Sequence, residues 1–260
     1  MQFFGWLGRS CSDSFLYIID VFYFIARVMA IGQPHRNVFN RAVYSVLLGQ
    51  LIYTGVDAFL MISFLAVVVG IGIISELIYI MHSITGANDI TEILARLLVS
   101  EMGPLITSVI LIGRSCSAMT VDLGNTKVRG EIAPLEYLGI NADDYFIVPR
   151  ILCMVICQVI LALYFSTIML FCGIFFGAYI YHFPAINALM ELVNTLNISV
   201  VISFLIKNVM FGFIIGTMAC FHGLSVQNSP TQVPQQMQKA VVRSLLFISL
   251  VDGYFFLLVL

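Results

Sequence analysis

Four ionisable residues stand where charge is costly: Glu101, Arg114, Lys207 and Asp252 each lie in or beside a long apolar run. A charged side chain at the centre of a membrane helix costs about 2.5–3.5 kcal/mol on insertion scales, so such groups pair with one another or line a polar path. Arg114 sits in "LIGRSCSAMTVDLG" among Gly113, Ser115, Ser117 and Ala118, small residues that let another helix approach closely. Lys207 lies in "SFLIKNVMFG" and Asp252 in "SLVDGYFF". Glu101 precedes Met102-Gly103-Pro104; proline brings no amide hydrogen to the helical ladder, which predicts a kink or a helix start there. On residue type alone these four are candidates for a transport path. Snorkelling of Arg114 and Lys207, private pairing of Asp252 with one of them, and a capping role for Glu101 stay open beside it.

Motifs of covalent chemistry are absent. The sequence has no Gly-Lys pair, hence no G-x-x-x-x-G-K-[ST] loop for ATP, and neither G-x-S-x-G nor H-E-x-x-H. His35, His82, His182 and His222 are scattered, and Cys11, Cys116, Cys153, Cys157, Cys172 and Cys220 form no C-x-x-C. The cysteines read as small apolar residues. No catalytic or metal-ligating set is expected, and a net charge of -2 gives no basic field for nucleic acid.

The elements that must position the four charges are membrane helices. The chain is 60% hydrophobic and 10% charged, against about 25% charged in soluble domains. About 20 apolar residues cross a bilayer, and only an intact helix satisfies its own backbone there. Five runs qualify: 58–75, 102–121, 151–190 (one long helix with a loop near Phe183-Pro184), 198–221 and 240–260. Basic residues set orientation. With the N-terminus inside, Arg9, Arg27, Arg36, Arg41, Lys127, Arg129, Arg150, Lys239 and Arg243 fall in the cytoplasm, and only Arg96 falls outside. The expected topology is N-terminus cytoplasmic, C-terminus outside.

Residues 1–45 form a separate segment, with no signal-peptide pattern. Asp13, Asp20 and Arg27 recur every seven residues, one polar stripe on an otherwise apolar helix, which suits a helix lying in the interface. A sixth span is the alternative. Residues 46–260 form the five-span domain.

Between the second and third spans, eight charged residues crowd "DLGNTKVRGEIAPLEYLGINADDYFIVPR", Asp122 to Arg150. Val128, Ile132, Leu135 and Leu138 recur at helical spacing, with Lys127, Arg129, Glu131 and Glu136 among them. A short amphipathic helix near 127–139 could dock into a groove of a soluble partner. A solvated loop obeying the charge rule is the alternative.

In this order the residues resemble the signature region of MlaE/YrbE permeases, the membrane subunits of MCE-associated ABC transporters. That pattern runs roughly R-E-L-G-P, A-G-R, E-L-G-x-M-K-V-x-E-Q-I-x-A-L-E-x-(M/L)-G-(V/I), then P-R. Glu101, Gly103 and Pro104 match the first part, Gly113-Arg114 the second, and Pro149-Arg150 the last. Leu123-Gly124, Lys127-Val128, Ile132, Leu135-Glu136 and Gly139 match the third. Ser100 stands where the pattern has arginine, Gly130-Glu131 where it has Glu-Gln, and Asn141-Ala142 where it has Asp-Pro.

The resemblance implies an all-α integral membrane protein, an interfacial helix plus five transmembrane helices, in a bacterial inner membrane with the C-terminus periplasmic; a plastid host is equally compatible. It implies a homodimer that carries phospholipid between that membrane and an MCE-domain protein leading to the outer membrane. A separate ABC ATPase would hold ATP and Mg²⁺, with room for a STAS-domain partner, and this chain would do no covalent chemistry. Glu101, Lys207, Asp252 and Arg114 then belong to the lipid cavity, and Lys127, Val128, Arg129, Glu131, Ile132, Leu135, Glu136 and Leu138 to the ATPase-coupling helix. Two other classes remain open: an ATPase-independent secondary transporter or channel with Arg114, Lys207 and Asp252 as its ion path, and a non-transporting scaffold.

Overall fold

The computed structural model describes residues 17, 19–21, 23–28, 41–74, 101–137, 142–181, 185–186, 190, 198–227 and 229–259, and these are almost wholly helical. Helix α1 comprises the described residues between 17 and 28. Helix α2 is α-helical over Arg41–Leu51 and Asp57–Val69, with π-helical turns at Ile52–Val56 and Gly70–Ile74. Helix α3 joins Gly103–Leu111, a π turn at Ile112–Cys116 and Ser117–Val128. The short α4 is Ile132–Tyr137, followed by α5 (Ala142–Tyr181), α6 (Ile198–Leu224) and α7 (Gln232–Val259).

Five of the described helices are long and apolar enough to cross a membrane: Val46–Ile73, Gly103–Val128, Tyr145–Ile180, Ile198–Leu224 and Gln232–Leu257. The all-α membrane architecture read from the sequence is therefore present, with boundaries corrected: the second span runs on to Val128, the third is Tyr145–Ile180 and the fifth starts at Gln232. The first span begins at Val46, not at Ala58, so Asp57 lies inside it. Helix length decides this, because the α-helix is already running from Arg41 and one carboxylate does not interrupt backbone bonding. Pro104 falls in the first two positions of its α-helical segment, where its missing amide hydrogen costs little.

Helix α5 is the hub. It packs against α2, α3 and α6, while α6 also packs against α3 and α7. Ile62, Leu111, Met154, Phe165, Phe211 and Ile215 fill the shared core. The α5–α6 seam is close enough to demand glycine: a Cβ on Gly212 would stand 2.6 Å from Val155 Cα and 2.9 Å from Met154 O. Backbone cannot yield as a side chain end can. Gly212→Ala is expected to lower unfolding free energy by about 1–3 kcal/mol, the usual range for overpacking, read as a lower Tm in detergent.

Helix α1 packs at the end of the bundle where α3 and α6 finish and α5 and α7 begin. Phe24 and Val28 join Leu123, Ile147, Ile151 and Cys220 in a second cluster, while Asp20 and Arg27 face outward. The Tyr17 hydroxyl lies 3.2 Å from His222 Nε2, and the Arg243 guanidinium sits 3.5 Å from the centroid of the Tyr17 ring. Asp13, the third member of the polar stripe, lies outside the described residues.

Candidate functional site

Three of the four predicted charges meet. Lys207 Nζ is 2.5 Å from Glu101 Oε2 and 2.5 Å from Asp252 Oδ1. The three come from different helical stretches: Glu101 just before α3, Lys207 nine residues after the start of α6, and Asp252 seven residues before the end of α7. Because α3 and α6 run parallel and α7 runs antiparallel to both, these positions coincide at one level, in the half of the bundle away from Lys127 and Leu224. The Lys207 side chain is 2% exposed, and those of Glu101 and Asp252 are 15% and 16% exposed. The ammonium is thus enclosed and both carboxylates keep an open edge.

Such a cluster holds only as a set. Removing an ion from water costs several kcal/mol even after relaxation, and close partners must offset that. Two carboxylates thus share one ammonium. Below Lys207 on α6, Asn208 continues the polar strip: Gln158 Nε2 donates to Asn208 Oδ1 (3.1 Å) and to Pro104 O (3.3 Å), and Asn208 Nδ2 donates to Phe204 O (2.8 Å). Gln158 and Asn208 were missed by reasoning that followed charge; uncharged amides inside otherwise apolar spans were the available signal.

In the structure the Lys207 ammonium is taken by two carboxylates, and the open side of the cluster presents the carboxylate edges.

Arg114 is not part of this cluster. It lies thirteen residues after Glu101 along the same helical path, about 20 Å at 1.5 Å per residue. Its Nη2 is 3.4 Å from Asp57 Oδ2 and donates to Tyr53 O at 3.4 Å. The pairing left open for Asp252 is therefore made with Lys207, while Arg114 pairs with Asp57, a residue the reading placed outside the span.

The second group of predicted residues lies at the other end of the bundle, and there the single helix read over 127–139 is two helices and a turn. Gly130 has φ of 72°, Gly130 N–H donates to Lys127 O (3.0 Å) and Glu131 N–H donates to Thr126 O (3.2 Å). This pair of bonds is the Schellman termination, and its left-handed position favours glycine. Lys127 and Val128 accordingly belong to the end of α3, Arg129 and Glu131 to the turn, and Ile132, Leu135 and Glu136 to α4. Leu138 lies outside the described residues. Lys127 Nζ donates to Leu224 O, tying the ends of α3 and α6 together. The Arg129–Glu131 pair (3.7 Å) is exposed on both sides and contributes little.

On α4, Ile132 and Leu135 are half-buried, and Tyr137 is 91% exposed. Tyr137 escaped the sequence reading because an aromatic in so apolar a chain looks like core. Across the hinge, the buried Arg150 at the start of α5 donates Nη2 to Asp122 Oδ2 (2.5 Å) and Nη1 to Phe146 O (3.1 Å). The two helices flanking α4 are thereby clamped at their bases. Asp122→Ala would leave a buried guanidinium without its counter-charge, a change that costs about 3–5 kcal/mol in fully buried pairs. Because Asp122 is itself open to water, the low end of that range is expected, measured as loss of thermal stability in detergent.

A family model described as "Permease MlaE" matches residues 47–258. A probable ABC transporter permease protein of Rickettsia typhi is 26% identical over 216 residues, 81% of each chain. One from Synechocystis is 30% identical over 189 residues, 71% of this chain and 69% of the relative. The chloroplastic protein trigalactosyldiacylglycerol 1 of Arabidopsis thaliana is 29% identical over 166 residues, 64% of this chain and 47% of that protein, so the match spans about half its length.

Proposed function

The chain belongs to the MlaE permease family, and from that premise we propose that it is the membrane subunit of an ABC transporter that moves glycerophospholipids between its membrane and an MCE-domain protein. The observation that carries the reading is the Glu101–Lys207–Asp252 cluster. Three charges from three helices meet inside an apolar bundle, enclosed on the ammonium side and open on the carboxylate side. A lipid site needs mostly apolar walls for the chains and a few polar groups for the head. One relative's name contains a diacylglycerol lipid, which agrees with a glycerolipid cargo.

Energy would come from a separate ATPase, since this sequence has no Walker A loop. On this reading α4 is the contact: a short helix with an exposed Tyr137, set between long helices whose ends are tied to one another by Lys127 to Leu224 O and Arg150 to Asp122. Motion of the ATPase would then pass to α3 and α5 as levers. The working unit would be a homodimer in a bacterial inner membrane, with the α4 side cytoplasmic by the distribution of Lys and Arg; a STAS-domain protein is a further candidate partner.

The test is transfer of fluorescent phospholipid from proteoliposomes holding the permease with its ATPase to acceptor MCE protein. ATP-dependent transfer is the expected result. Transfer driven by an ion gradient and indifferent to ATP would replace this reading with the secondary transporter.

A further inference from the structure

Asp57 and Arg114 are placed where paired charges have little reason to be unless something polar comes to them. Asp57 lies eleven residues after Val46 and sixteen before Ile73; Arg114 lies eleven after Gly103 and fourteen before Val128. Both are therefore near mid-membrane, yet their side chains are 56% and 28% exposed. Open charge at that depth is unfavourable against hydrocarbon, so the surface they share faces a polar path or a polar ligand.

The local geometry says which. Arg114 holds Asp57 and Tyr53 O through one nitrogen, at 3.4 Å each, longer than the 2.7–2.9 Å typical of strong charge-assisted bonds. Its Nη1 is buried and has no hydrogen-bond partner among the described residues. The guanidinium fork is loosely held and has donor capacity to spare. Beside it Gly113 is exposed, and a Cβ there would meet nothing within 4 Å, so space adjoins the fork. Both helices also turn π-helical at this level, Ile52–Val56 immediately before Asp57 and Ile112–Cys116 around Arg114. Single π turns inside α-helices are frequent at functional sites. A loose fork suits a phosphodiester, and an open carboxylate a few ångströms away suits an ammonium.

We propose that Arg114 and Asp57 form a mid-membrane station for a zwitterionic phospholipid headgroup, phosphate on Arg114 and amine on Asp57, about 20 Å from the Lys207 cluster by helix rise. It rests on the phospholipid reading and adds a second stop to it. The lipid would pause at two polar stations along α3.

The assembled complex, reconstituted with lipids carrying a diazirine on the headgroup, tests this by mapping labelled peptides. Phosphatidylethanolamine probe is expected to label both the 53–60 segment and the peptides carrying Glu101 or Asp252. Arg114→Gln is expected to cut labelling of 53–60 at least about tenfold, the effect of losing one charged hydrogen bond, and to leave the Glu101 and Asp252 peptides labelled. Asp57→Asn is expected to erase any preference for the ethanolamine probe over phosphatidylglycerol at 53–60. Retained labelling of 53–60 in Arg114→Gln overturns the station. So does crosslinking of that segment to a second copy of the chain in place of lipid. Loss of labelling at both places in the unmodified complex overturns the phospholipid reading itself.

Discussion

Replacing Lys207 with Met is expected to strip bound phospholipid from the purified complex and lower its thermal stability; adding Glu101→Gln and Asp252→Asn should return the stability without the lipid. The two effects separate because they have different causes. Removing the ammonium leaves two carboxylates facing each other, each 15–16% exposed, with no cation between them. Breaking a buried pair in this way costs about 3–5 kcal/mol, mostly the cost of the stranded charge. Neutral amides in place of both acids relieve that cost and keep the shape. They do not restore an ionic surface to a headgroup. Lipid content by mass spectrometry and Tm on the same samples check both halves, and a triple variant that regains lipid would show that the cluster only holds helices together.

Tyr137→Asp is expected to detach the ATPase at least as completely as Leu135→Asp, with the permease still inserted in both. Helix α4 has six residues, too few to present a wide face. Leu135 is half-buried beneath it, whereas Tyr137 stands 91% exposed. Large rigid aromatics are the usual anchors of protein interfaces, and truncating one often costs 2 kcal/mol or more, about thirtyfold in affinity. A carboxylate at that point adds desolvation to the lost packing. Co-purification of the ATPase with tagged permease is the measurement; undiminished recovery with Tyr137→Asp would move the contact away from α4.

Much of this architecture was legible as runs of apolar residues, since a bilayer leaves the backbone few choices. The misplacement of Asp57 shows where that logic stops. Reading a span from the first uncharged residue, Ala58, puts every bounding charge outside, yet the helix began seventeen residues earlier at Arg41. Glu101, Lys207 and Asp252 were each visible as misplaced charges, but their meeting depends on how α3, α6 and α7 pack, which no spacing encodes. The turn at Gly130 was partly legible: glycine punctuates the stretch, but the continued apolar periodicity from Val128 to Leu138 masked the break. With Gly130 left-handed, the departure from the family's Glu-Gln at 130–131 has a physical reason, because the termination of α3 favours glycine there.

The central claim is that this chain is an ATP-driven phospholipid permease, and intact mass spectrometry of the complex purified on a tag on this chain tests it most directly. The account predicts a permease dimer with a nucleotide-binding subunit, an MCE-domain protein and glycerophospholipid in one assembly. A permease that carries neither a nucleotide-binding subunit nor bound lipid would contradict it.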